Sequence, residues 1–364
     1  MRAGSGISGA ETTFLTAGAT FATGVFVLPR LLVADAGRAG ILALLLVALA
    51  AILWTSWIAG RSQRLPARSL PLALVRQGGA GGRAWLVLLA LFELLLAGEV
   101  SAQFATMAVA VILPGASRFG VSTLILLSAF TAARHRVEGL ARTVYVSFLF
   151  AGMLAFAAFA LLLGRADQLA AVLPGPHLSV GPILAGSIDS IGLYAGATTI
   201  VAFLPAQRYS RQMPAVIGGV ILVTVLIVVA YVAAIGTGGP GYVLTQIWPV
   251  VTALRTLVLR SFVLNRIGLV VVLAWSAFVL TFSATHLWAA AEYACIAMDS
   301  QRSRPLVALA GTVLAGVFAT FSGPEAQTEV IVRHVVGPAV AVVLLSWILL
   351  AYLLTRRRPQ ASGG

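Results

Sequence analysis

The chain has 364 residues, of which 60% are hydrophobic and only 10% charged. A water-soluble domain averages roughly 25% charged residues, so that class is excluded. The net charge of +13 is carried by Arg alone, spread through short segments between apolar runs rather than gathered into a basic domain, which removes nucleic acid as a partner.

Ten apolar runs are long enough to cross about 30 Å of hydrocarbon: residues 12–28, 41–59, 84–113, 119–133, 141–163, 183–204, 215–235, 267–291, 306–321 and 335–354. The fourth and ninth are short. The expected fold is therefore an all-α polytopic membrane protein of about ten transmembrane helices, in one integral membrane domain spanning 1–364. No basic segment and small-residue cleavage site precede the first run, so no removable signal peptide is expected. The Arg residues favour the side holding both termini by roughly two to one, which sets N-in and C-in. Cys295 stands alone, ruling out intrachain disulfides and Cys-rich metal centres. Four scattered His residues show no metal-binding spacing, and no phosphate-binding glycine loop occurs. No cofactor and no metal are expected, and an enzyme is the poorest fit.

Ten spans divide into two halves of five, 1–163 and 183–354. An odd number per half makes the second half enter the membrane from the opposite side, the geometry of an inverted repeat. Span 1 carries Ala17-Gly-Ala-Thr-Phe-Ala-Thr-Gly24 before Val-Phe-Val-Leu-Pro29, and span 6 carries Ser190-Ile-Gly-Leu-Tyr-Ala-Gly196 before Ala-Thr-Thr-Ile-Val-Ala-Phe-Leu-Pro205. Both are first in their half, interrupted by small residues near mid-membrane, and closed by Leu-Pro. Unwinding there frees backbone groups that lipid cannot satisfy, tolerable only around a cavity or ligand. Taken singly, such glycines serve close helix packing; the matched pair points to a binding site.

On this reading Thr23 and Gly24 donate backbone N–H groups to a ligand carboxylate, with Thr20 and Ala22 beside them. Gly192, Tyr194 and Gly196 of span 6 face the same cavity, and Thr198 or Thr199 supplies hydroxyls. Asp189 binds a ligand amine or gates access. Glu93, Glu99 and Gln103 share span 3, with Glu99 and Gln103 on one face and Glu93 rotated away; they form a polar seam or a proton relay. Glu292, near the end of span 8, reaches water or pairs with a loop Arg, and His286 is a core or interhelical group, with proton coupling as the alternative. Ser276, Thr281 and Ser283 are possible ion contacts, with bonding inside their own helix as the alternative. The segment 236–266 is read as an outer loop holding an interfacial helix over 252–264.

Ala22-Thr-Gly-Val-Phe-Val-Leu-Pro-Arg30, the Ile7-Ser8 opening, Tyr194-Ala-Gly196 through Phe203-Leu-Pro205, and Trp248-Pro249 followed by Arg255, Asn265-Arg266 and Trp275 occur in an order similar to the spore germination permease family. That family comprises the B-subunits of nutrient germinant receptors, within the amino acid/polyamine/organocation superfamily. The resemblance implies a five-plus-five inverted-repeat transporter fold with broken helices 1 and 6. It also implies a small nutrient ligand of amino-acid type, partner A- and C-subunits, and the inner membrane of a dormant spore. An amino acid or amine transporter of the same superfamily is the alternative. The chain departs from the family pattern at Ala22, where a Gly is usual, at Thr198, where a Glu is usual, and at Gly268, where an acidic residue is common; these leave open a divergent ligand preference or its loss.

Overall fold

The computed structural model describes residues 6–22, 24–176, 178–207, 212–257, 267–322 and 330–356. The chain runs through α1 (Gly9–Thr20), α2 (Gly24–Ala36), α3 (Gly40–Ser62), α4 (Leu70–Val111), α5 (Arg118–Ala133), α6 (Val137–Leu163), α7 (Val180–Asp189), α8 (Ala197–Phe203), α9 (Gln212–Thr245), α10 (Pro249–Arg255), α11 (Ile267–Met298), α12 (Arg304–Phe321) and α13 (Gly337–Arg356). Among the described residues the isolated pairing of Ile7 with Gln207 is the one β-type contact. Six helical stretches are long and apolar enough to span a bilayer, and α7 with the helical segment after it, bent by 42°, makes a seventh. Each of the ten expected spans falls on this helical framework, and the molecule is an all-α polytopic membrane protein.

The starts and stops follow from local chemistry. Ser8 and Glu11 form a capping box at the start of α1: Glu11 N–H donates to Ser8 Oγ (3.2 Å), and Ser8 N–H donates to the Glu11 carboxylate (2.7 Å). Thr12, Thr16 and Thr20 each donate to the carbonyl four residues back, which keeps their hydroxyls satisfied inside the helix. At Phe21 the backbone turns extended (φ −86°, ψ 109°), and α1 ends. Helix resumes at Gly24, so α1 and α2 are two halves of one crossing. The sixth span breaks in the same way: α7 ends at Asp189, a 3-10 turn covers Ile191–Tyr194, and α8 starts at Ala197. The breaks thus lie in the first span of each five-helix half.

Close packing brings the two broken spans together. A Cβ on Gly196 would overlap the carbonyl group of Ala19, so only glycine lets the α8 start approach the α1 end this closely. Phe21 and Phe26, on either side of the first break, stack on Trp275 of α11 with centroids 5.1 and 4.6 Å apart, and Phe278 meets Phe21 edge-on at 4.8 Å. In lipid, contacts of this kind supply the packing that a hydrophobic effect supplies in water.

The segment 236–266 departs from expectation. Helix α9 continues to Thr245 across a break at Gly239, whose φ of 73° suits glycine. The interfacial helix expected over 252–264 is shorter and begins earlier, at Pro249. Its residues Val250, Val251, Ala253 and Leu254 are buried against the bundle rather than laid on a membrane surface. Residues 258–266, including Arg260, lie outside the described residues.

Gly196→Ala should lower the thermal unfolding midpoint in detergent, with an overpacking cost of about 1–3 kcal/mol. Gly60→Ala, where an added Cβ meets nothing within 4 Å, should leave it unchanged; equal midpoints for the two variants would contradict the proposed contact.

Candidate functional site

A cavity lies where the two breaks meet. Its wall combines Thr20, Phe21, Ala22 and Gly24 of the first break with Asp189, Ser190, Gly192 and Leu193 of the second, and α4 adds Glu99 and Gln103. The rest is apolar: Val25, Leu28 and Leu31 of α2, Leu96 and Val100 of α4, Ile227 of α9 and Phe282 of α11. Two carboxylates, unwound backbone and an apolar majority therefore line the cavity.

Glu99 is held from both sides. Gln103 Nε2 donates to Glu99 Oε1 (3.0 Å), and the Ser322 hydroxyl donates to Oε2. Asp189 sits in an ion-pair cluster: Arg333 Nε donates to Asp189 Oδ2 (2.6 Å), while a terminal guanidinium nitrogen contacts Asp35. One Arg at the start of the last span thus ties the end of α2 to the end of α7. Asp35 and Arg333 were not singled out by sequence reasoning, since each lies at a span end where an isolated charge is ordinary. Their unlike charges at the ends of two apolar runs were the available signal.

The remaining expected residues fall elsewhere. Thr23 lies outside the described residues. Tyr194, Gly196, Thr198 and Thr199 do not line the cavity. The Tyr194 hydroxyl is 2.8 Å from Thr224 Oγ1 of α9. Thr198 and Thr199 hydroxyls donate to Ala195 O (2.7 Å) and Gly196 O (2.8 Å) in their own turn. Gly196 serves packing, as above. The physical cause is the 3-10 turn before α8, which advances each residue further around the axis than an α-helix and swings these side chains away.

The other intramembrane polar groups are paired outside the cavity. Glu93, fully buried, contacts His286 of α11. Glu292 pairs with Arg304, which also stacks on Trp288 at 4.7 Å. Ser283 meets Ser101 at 3.0 Å, and the Thr281 hydroxyl donates to Phe278 O (2.9 Å). Ser276 lies on the same helix about two turns from Ser283. Among the described residues no group of three or more His, Cys, Asp or Glu could hold a metal ion.

Paired broken helices around a mid-bundle cavity, with an ion cluster joining the ends of the two broken spans, define a polytopic membrane protein of transporter architecture. Two solved structures share the fold. MhsT in complex with L-phenylalanine aligns with a TM-score of 0.59 at 15% identity, covering 96% of this chain and 92% of that one. A Na+-coupled sialic acid symporter in a substrate-bound outward-open state aligns with a TM-score of 0.67 at 13% identity, covering 95% of this chain and 79% of that one. No curated protein matches the chain. The family model described as spore germination protein matches residues 6–324, and the chain belongs to this spore germination permease family.

Arg333→Gln should leave Asp35 and Asp189 side by side without a cation. The three side chains are about a quarter exposed or less (13–24%), so the expected loss is about 2 kcal/mol, below that of a fully buried pair. Adding Asp35→Asn and Asp189→Asn should recover much of the unfolding midpoint. A triple variant no more stable than Arg333→Gln would exclude the charge explanation.

Proposed function

We propose that the chain binds a small apolar amino acid in the cavity between the broken helices and passes the resulting conformational change to partner subunits of a germinant receptor. The observation that carries this reading is the cavity itself, with the Glu99 carboxylate on one wall, the α2 start on another and apolar side chains between. The ligand amine meets Glu99. The ligand carboxylate meets the first-turn N–H groups of α2, which have no acceptors within their own helix. Leu31, Val100, Ile227 and Phe282 receive the side chain. That MhsT is seen with L-phenylalanine on the same fold supports an amino acid of this kind.

Binding must favour one conformation over another if it is to signal. The Asp35–Arg333–Asp189 cluster, at the end oriented outward, opens to admit ligand and closes over it. At the other end, Ile7 N–H donates to Ala206 O (3.0 Å), tying the start of α1 to the end of the broken sixth span. Movement of either broken span therefore reaches the inner surface. There, A- and C-type subunits in the spore inner membrane sense it.

A second reading, transport of the same ligand, is favoured by that pair of closures at opposite ends and by the symporter that shares the fold. Flux of radiolabelled amino acid into proteoliposomes separates the two, since a receptor binds without accumulating it.

Among apolar L-amino acids, at least one should raise the unfolding midpoint of the purified chain. Glu99→Gln should weaken that binding by about tenfold or more, corresponding to a lost charged contact of about 1.4 kcal/mol. The matching amine without its carboxylate should bind weakly to both forms. Equal affinity of wild type and Glu99→Gln would remove Glu99 from the site. Spores lacking the chain should lose dipicolinate release in response to the same amino acid, and regain it on complementation.

A further inference from the structure

Two fully buried ionisable groups lie behind the cavity wall. Glu93 of α4 and His286 of α11 have side chains with 0% exposure, and they meet through Glu93 Oε2 and His286 Nδ1. The other ring nitrogen, Nε2, lies 3.1 Å from the carbonyl oxygen of Ala19, in the last turn of α1 before the break. Phe282, itself part of the cavity wall, covers the imidazole with ring centroids 4.0 Å apart. Glu93 Oε1 is buried without a hydrogen-bond partner.

Hydrogen-bonding roles set the proton count. A carbonyl oxygen only accepts, so the contact with Ala19 requires hydrogen on Nε2. Neutral imidazole then presents a bare lone pair at Nδ1, and an ionised carboxylate opposite it would place two acceptors in contact. One further proton must therefore lie between Nδ1 and Oε2, whichever atom holds it. Losing that proton leaves an uncompensated anion in the bundle, or turns the ring and releases Ala19. Either outcome is costly while the site stays closed from water.

Among the described residues, no other charge packed around the pair can replace the proton. On α11, the Tyr293 hydroxyl donates to Thr198 O (2.9 Å), and Glu292 is paired with Arg304 of α12. On α4, Glu99 is held by Gln103 and Ser322. Helix α1 presents hydroxyls bonded within itself and, in its first turn, Glu11 beside Arg142, and the hydroxyls of α8 are likewise bonded within their own turn. Arg255 lies in the last turn of α10, and Arg333, His334 and Arg356 lie at the two ends of the last span. The charges of α5 and α6, namely Arg118, Glu138 and Arg142, sit in their first turns or near them, and Tyr145 packs on Phe14.

We propose that Glu93 and His286 form a proton-binding site that controls the break in the first span. With the proton bound, α4 and α11 hold Ala19 and the end of α1 in the closed arrangement. When the break opens, water reaches the pair, the proton leaves to it, and the Ala19 link is lost. The closed form holds one more proton than the open form, so raising the pH favours opening. The site does not depend on the identity of the cavity ligand, and its test uses none.

The full chain in lipid nanodiscs, with Cys295→Ala and Thr20→Cys as a reporter on the cavity wall, is treated with a membrane-impermeant maleimide from acid to alkaline pH. The same reporter is placed in Glu93→Gln, whose amide donates permanently to Nδ1 and keeps both contacts without a titratable proton. The ratio of the two rates cancels the chemistry of the thiol. The ratio should be near one at acid pH and rise by about tenfold per pH unit beyond the transition. A flat ratio would overturn the proposal and return the pair to a structural role. As a check that needs no variant, amide exchange of the 18–26 segment in the wild-type chain, corrected for its intrinsic pH dependence, should show protection falling over the same range. Constant protection would equally overturn it.

Discussion

A backbone that leaves helical geometry inside hydrocarbon must satisfy its freed N–H and C=O groups from within the protein, and this constraint governs the molecule. The chain breaks two spans and places the breaks against each other, so that their loose groups face one cavity rather than lipid. The approach depends on Gly196 lying on the Ala19 carbonyl with no side chain between. Aromatic stacking of Phe21 and Phe26 on Trp275 holds the other flank of the first break. Neither feature recognises a ligand, yet both fix where one can sit.

The charged groups are arranged around the same two breaks. Arg333 draws Asp35 and Asp189 together and so couples the far ends of the two broken spans. Glu99 stands in the cavity wall with neutral donors on both oxygens, which leaves its charge available to a cationic group. Glu93 and His286 hold the near end of the first break through Ala19. Glu292, just under two turns beyond His286, closes a pair of its own with Arg304 of α12. A carboxylate that neutralises its partner stabilises one conformation, whereas one without a cation invites a ligand. Only Glu99 of these groups combines access to the cavity with the lack of a cationic partner among the described contacts.

Much of this was legible in the sequence. Apolar runs separated by Arg-bearing loops give the spans, because burial in lipid leaves little freedom of composition. Matching interruptions near Gly24 and Gly196 give the breaks, because only small residues tolerate them. The shared face of Glu99 and Gln103 follows from helical spacing, and their hydrogen bond realises it. Helical spacing failed across Ile191–Tyr194, where a tighter turn shifts the phase. It places Tyr194, Thr198 and Thr199 at the cavity, whose wall does not include them. Long-range pairings were invisible for another reason. Arg333 meets Asp35 and Asp189 from the far end of the chain, and His286 meets Glu93 across two halves, contacts that no local pattern encodes. The buried position of α10 was misread because its few apolar residues are too short a run to tell interface from core.

The most direct test of the account is an experimental density map of the full chain in nanodiscs with a saturating apolar L-amino acid. The account predicts density for one ligand between the Gly24 end of α2 and the Glu99 carboxylate, with its side chain against Phe282 and Ile227. A ligand seated elsewhere, or a first span that runs as a continuous helix through residues 21–23 and fills the cavity, would contradict it.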